Sequence, residues 1–239
     1  MRRTIALAAL LLAIGCASAA PPRADFPKPQ NQAELDARLR FIEGRLDAGR
    51  LHAALWNWGW LGIQVLSGIS QIQDATQADK PGDRDRDAVN AFKSAVGVTD
   101  ILLIRPMPGI WGAGPLRAIP GATEGEQLAQ LERGEEILRA AADRAAANRS
   151  WQVHVGNLIF NLACSGVLLG LGHSEAAGIT LATGTIGGEI QIWTEPWRGT
   201  RDLADYEHLV ESGHADAPDP GQRWHLAPAR DGLALEMKF

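Results

Sequence analysis

Two carboxylates stand where carboxylates are costly. Asp100 lies in the apolar end of a segment in which Val89, Phe92, Val96, Thr99 and Leu103 recur three and four residues apart. Glu189 lies in the uncharged run from Gly178 to Trp193. An acid in apolar surroundings stays protonated or finds a partner. At the centre of a bilayer it costs about 2.5–3.5 kcal/mol on insertion scales. Asp100 and Glu189 are therefore candidates for a buried polar pair lining a cavity or pathway. The bland alternative puts each near a helix end, reaching out to water.

Other chemistry-bearing residues are weaker. Asp83, Asp85 and Asp87 alternate with Arg84 and Arg86. A calcium loop also opens with alternating acids, but its sixth position needs Gly and its twelfth Glu, where this chain has Ala88 and Ser94. Asp205, His208 and Glu211 share a helix face at three-residue steps, with no second ligand-rich helix beside them. His154 and His173 fall near opposite ends of one helix, too far apart to share a metal. Cys164 sits in an apolar helix, where a thiol packs as a small hydrophobe. No Gly-x-Ser-x-Gly elbow, phosphate loop, dinucleotide fingerprint or paired-Cys zinc motif occurs. The expectation is a non-enzyme without catalytic residues, metal or cofactor.

The elements that must hold these residues are helical. Asn31 with Glu34, and Thr123 with Glu126, form capping boxes. Each opens a charged amphipathic helix, with Leu35, Leu39, Ile42 and Leu46 on the first, and Leu128, Leu131, Leu138 and Ala142 on the second. Gly49 is expected to break or bend the first. Leu51 to Gln73 follows without formal charge apart from His52. Asp74 to Asp87 reads as a charged linker with Asp87 capping the next helix, which Pro106 stops. Met107 to Pro120, rich in Pro and Gly, reads as a loop. Ser150 to Pro196 reads as two apolar helices joined by a tight turn, with Gly172 stopping the first and Ser174 capping the second. The expected fold is mainly α: a helical bundle over 31–197 built from two apolar hairpins, each preceded by an amphipathic helix. Residues 198–239 add a short helix and a β-hairpin or extended tail.

The order of elements occurs twice. The capping boxes are 92 residues apart, Trp58 and Trp151 93, Asp100 and Glu189 89, and Pro106 and Pro196 90. This spacing suggests repeats at 31–106 and 123–196, although shared helix-bundle grammar gives the same pattern.

The N-terminus reads as an export signal over 1–20: Arg2 and Arg3, an apolar core from Ile5 to Ile14, then Ala17-Ser18-Ala19. Ala13-Ile14-Gly15-Cys16 resembles a bacterial lipoprotein box, which implies lipidation at Cys16, but Leu12 stands one place early. Residues 21–30 are Pro-rich and read as a disordered linker. Cleavage takes away both early arginines, leaving 21 basic against 28 acidic residues and moving the charge from −5 to −7. That balance disfavours nucleic acid. Leu233, Leu235, Met237 and Phe239 alternate like the closing strand of outer-membrane barrels, a resemblance confined to seven residues.

Seven tryptophans mark helix ends. Trp56, Trp58 and Trp60 open one uncharged helix and Trp151 another; Trp193 and Trp197 close the last, and Trp111 follows Pro106. Antiparallel hairpins gather all seven at one level, as in an interfacial aromatic belt. Gly166 with Gly170, and Thr180, Gly184 and Gly188, permit close helix contact. The expected protein is an exported, membrane-associated component of the cell envelope. Its partners are membrane lipid and a second copy or another envelope protein, in a structural or interaction role. The alternatives are a soluble periplasmic bundle holding an apolar ligand, and a passive transporter using Asp100 and Glu189.

Overall fold

The computed structural model describes residues 26–212 and the backbone of 223–229 and 232–238. The leader, Cys16 and the first half of the expected linker, 21–25, lie outside the described residues. The chain is mainly helical. Helix α1 (Gln32–Gln77) runs 46 residues without interruption, about 69 Å at 1.5 Å per residue. Helix α2 spans Pro81–Thr99 and continues as a π turn over Asp100–Ile104. After the short α3 (Gly114–Arg117) come α4 (Glu124–Asn148), α5 (Trp151–Gly170), α6 (Ser174–Thr194) and α7 (Gly199–Ser212).

Local chemistry sets most boundaries. Thr123 and Glu126 close a reciprocal capping box on α4. Asn31 caps α1 through the Glu34 amide, while the Glu34 carboxylate turns back to the Gln30 amide. Helix α5 ends at Gly172, whose φ of 88° places it in the left-handed region that glycine tolerates. The His173 amide there donates to Leu168 and the Gly172 amide to Leu169, satisfying two terminal carbonyls.

Three expected boundaries move. Gly49 does not break α1, which runs through it uninterrupted. A helical glycine costs about 1 kcal/mol, and Leu46 on one side and Ala53 and Trp56 on the other are buried anchors that hold the rod through it. The charged linker shrinks to Ala78–Lys80, because Pro81 starts α2 where its missing N–H costs nothing. Asp83, Asp85 and Asp87 thus lie within α2, and Asp87 is not its cap. The cap of α6 is His173 rather than Ser174.

The molecule has two parts that share α1. The first half of α1 packs on α4 and α7, with α3 alongside. Their common core contains Leu35, Ile42, Leu46, Leu116, Leu131, Leu138, Leu203 and Tyr206. Two arginines sit in the stripe that spacing alone reads as apolar. Arg38 donates through Nε to the Tyr206 hydroxyl at 2.7 Å and through Nη2 to Glu135 at 2.6 Å. Tyr206 in turn donates to Glu135. Arg45 pairs with Asp205 at 2.6 Å and Asp202 at 3.4 Å, which accounts for Asp205 without any metal. Burial, and then the bonded Glu135 carboxylate, push the Tyr206 phenol well above its ordinary range.

The second half of α1 turns back as α2, and α5 turns back as α6. The two hairpins lie side by side with their tips together: the His173 ring meets Gly82, and its Nε2 lies 3.1 Å from Asp85 Oδ2.

Removing the Tyr206 hydroxyl leaves the buried Arg38 Nε without its acceptor and takes one donor from Glu135. Tyr206→Phe is expected to lower unfolding stability by about 1–3 kcal/mol, read as a lower denaturation midpoint by circular dichroism.

Candidate functional site

The interior of the two hairpins mixes polar with apolar side chains, Asn57, Ser94, Asn161, Ser165 and Thr180 being buried beside Ala53, Trp56, Ile101, Cys164, Leu168 and Ala177. On α5, Asn157 and Asn161 lie one turn apart and face Gly188 and Gly184 of α6. A Cβ at Gly184 would collide with Asn161 Oδ1 and Lys93 Nζ, and one at Gly188 with the Asn157 amide. The absence of these side chains lets amides enter the seam. Asn157 Nδ2 donates to the Thr185 carbonyl at 3.0 Å and to Glu189 Oε1 at 2.9 Å. Asn161 Nδ2 donates back to Asn157 at 2.9 Å. Lys93 reaches across from α2 and donates to the Thr180 carbonyl at 3.3 Å. Ser94 donates to Gln71 at 3.0 Å, tying α2 to α1. Asn57, Ser165 and Thr180 are buried as well. Asn161 Oδ1, Ser165 Oγ, Thr180 Oγ1 and Thr185 Oγ1 find no partner.

The outer faces carry the side chains a soluble bundle hides. Leu66 is 70 % exposed, Leu103 77 % and Ile186 60 %. Leu55, Ile69, Ile72, Leu158, Ile159, Leu162, Leu169, Ile179 and Ile190 are exposed with them. Scattered exposed apolar residues are ordinary, whereas a contiguous apolar surface on four neighbouring helices is not. Helix α5 is long and apolar enough to cross a membrane, with a mean hydropathy of 1.5, and it is the only such helix among the described residues.

The tryptophans gather at the end of the hairpins nearest the α4–α7 part. Trp58 and Trp111 meet edge to face at 6.5 Å. Trp56 Nε1 donates to the Gln191 carbonyl and Trp60 Nε1 to the Thr194 hydroxyl, each at 3.1 Å. Trp193 lies 5.7 Å from the His154 ring, and Trp151 opens α5 one turn before that histidine. Arg149 stacks on Trp197 at 5.3 Å and Arg144 on Trp56 at 5.4 Å.

Asp100 and Glu189 are not joined. The π turn brings Arg105 over Asp100, and its Nε and Nη2 bond the carboxylate at 2.8 and 2.6 Å. Glu189 takes His154 Nδ1 at 2.7 Å together with the Asn157 amide. Each carboxylate answers to its own base, and both remain partly exposed. The interior residues that spacing did not single out are Lys93, Asn157 and Asn161. Amides one turn apart on an otherwise apolar helix were their available signal. Among the described residues, no three His, Cys, Asp or Glu side chains gather as a metal site. Cys164 is a free, buried thiol.

No protein-family model matches the chain, and neither a curated protein nor a solved structure is similar to it.

Just past α6, Glu195 bonds Arg144. Burial pushes its carboxyl above the ordinary value of 4.5, against the pull of Arg144 and Arg105. The folded chain thus holds this proton more tightly than the unfolded one. Its contribution to stability is complete below pH 4.5 and fades as pH rises through the raised value. In thermal melts from pH 4 to pH 8, Glu195→Gln is expected to show a flatter profile than the wild type, gaining on it toward high pH.

Gly184→Val forces a branched side chain onto Lys93 and Asn161. It is expected to cost about 1–3 kcal/mol, seen as a lower melting temperature in detergent, whereas Gly166→Val, where a Cβ meets nothing within 4 Å, should cost less.

Proposed function

We propose that this protein is a membrane-embedded component of the cell envelope, exported by its leader, with a structural or interaction role. The two hairpins lie in the bilayer and the α1–α4–α7 part rests at one surface. The observation that carries this reading is the many leucines and isoleucines exposed on the four helices while amides and Lys93 lie between them. Lipid accepts such a surface without cost, while interior polar groups must find partners within the protein. Helix α5, 20 residues long, matches the roughly 30 Å of a hydrocarbon core. The Trp collar at one end suits the headgroup level, where an indole is apolar on its face and wet at its N–H.

The transporter reading weakens because Asp100 and Glu189 bind separate bases. We also read the two hairpins as copies of one unit: α1 fuses the charged and uncharged helices that remain separate as α4 and α5. We read the tail as a surface hairpin, its strands β1 (Arg223–Ala229) and β2 (Gly232–Lys238) running antiparallel.

Brominated lipids test the placement directly. Reconstituted protein should show strong quenching of its tryptophan emission by bromines near the headgroups and weaker quenching by bromines near the chain ends. After carbonate extraction it should remain with the membrane. Full release into the soluble fraction, with emission indifferent to bromine, would sink the reading.

A further inference from the structure

Polar links join the two hairpins along their length. Next to the Trp collar, Trp56 and Gln64 of α1 reach Gln191 of α6, and Trp60 reaches Thr194. Further along, Lys93 of α2 donates to the Thr180 carbonyl at 3.3 Å. At the tips, His173 Nε2 lies 3.1 Å from Asp85 Oδ2. Of the side chains in these links, only the imidazole is of a type that ordinarily changes charge between pH 5 and 8. The ring is fixed where it stands. His173 caps α6, its amide bonds the Leu168 carbonyl and its carbonyl accepts from the Ala177 amide, each at 2.9 Å. Across the gap Gly82 offers no side chain, and a Cβ there would lie 3.1 Å from His173 Nδ1. Gly82 and Asp85, three residues apart on one face of α2, together receive the imidazole. Both His173 and Asp85 stay partly exposed, so protons reach the ring from water.

The other charged groups at this end are engaged elsewhere or stand apart. Arg86 bonds Asp83 at 3.2 Å and Asp87 at 2.9 Å, and Ser70 bonds Asp74. Lys80 and Arg84 at the start of α2, Asp79 before it and Glu175 on α6 complete the set. The structure pairs His173 with Asp85 rather than with any of these.

We propose that His173 and Asp85 form a pH-dependent clasp between the hairpin tips, closing as the imidazole takes up a proton and loosening as it gives the proton up. Protonation turns a neutral contact into an imidazolium–carboxylate bond, and charge-assisted bonds are about twice as strong. When the clasp loosens, Lys93 to Thr180 becomes the outermost link between the hairpins. His154 also meets a carboxylate, Glu189, but both lie in the α5–α6 hairpin, so their titration leaves the links between hairpins untouched. The clasp rests on the bonds at the tips and not on the membrane placement.

Hydrogen exchange on the full chain in detergent tests it, each rate being corrected for the pH dependence of intrinsic exchange. The reporters are the amides of Arg84, His173 and Ala177, bonded to the carbonyls of Lys80, Leu168 and His173. The amides of α4 supply the reference for global folding. From pH 5 to pH 8, protection at the reporters should fall about fivefold relative to α4, the difference between a charged and a neutral bond. His173→Gln and Asp85→Asn should each abolish that fall while α4 stays protected. Tip protection that is flat with pH in the wild type, or a fall of the same size in His173→Gln, would overturn the proposal. Bromine quenching in the same preparation reports separately on the membrane placement.

Discussion

Four helices cannot bury both faces of themselves at once, and here amides hold part of the buried face. The seam between α5 and α6 closes on Asn157, Asn161 and the backbone of Thr185, because Gly184 and Gly188 leave room for those amides. With amides in the seam beside Leu168 and Cys164, many leucines and isoleucines of those helices face outward. A water-soluble bundle would gain by turning each helix over, since burying one such side chain yields about 1.5–3 kcal/mol. That the sequence forgoes the gain on several helices together is intelligible where the exterior is not water. Between helices in lipid the hydrophobic effect vanishes, and close packing with interhelical hydrogen bonds carries the association.

The remaining architecture follows from keeping both environments on one rod. Helix α1 leaves a conventionally apolar core and enters the mixed one with no loop between. Its first half hides Leu35, Ile42 and Leu46, while its second exposes Leu55, Leu66 and Ile69. The change of regime falls at Arg50 to Trp56, the level at which Trp111, Trp193 and Trp197 also lie. Charged residues concentrate on the first side of that level. Arg38 and Arg45 are acceptable in the core there only because Tyr206, Glu135, Asp202 and Asp205 meet nearly every donor. The exception is Arg45 Nε, buried without a partner.

Much of this was legible in sequence. The mainly helical fold could be read from periodicity, and the Thr123 cap and the Gly172 stop from residue type, because such signals act within one turn. The tryptophans could be placed at one level because antiparallel hairpins fix which helix ends coincide. What escaped depended on partners distant in the chain. Arg38 and Arg45 looked like the polar side of an amphipathic helix, since Glu135, Tyr206 and Asp205 lie 97, 168 and 160 residues away in α4 and α7. Gly49 looked like a break, since nothing local reveals that Leu46 and Trp56 are both anchored. Asp100 and Glu189 looked like a pair because both were acids in apolar runs. Their actual partners, Arg105 and His154, were hidden by a π turn and by helix pairing respectively.

Two hairpins impose a parity. Because each hairpin returns the chain to the end at which it began, the start of α1, the α3–α4 stretch and α7 assemble into a single core. The connection between the hairpins carries the arginines from Arg105 to Arg149. In the folded chain these arginines are largely engaged: Arg105 by Asp100, Arg117 by Asp47, Arg133 by Glu136, Arg144 by Glu195, and Arg149 on the face of Trp197.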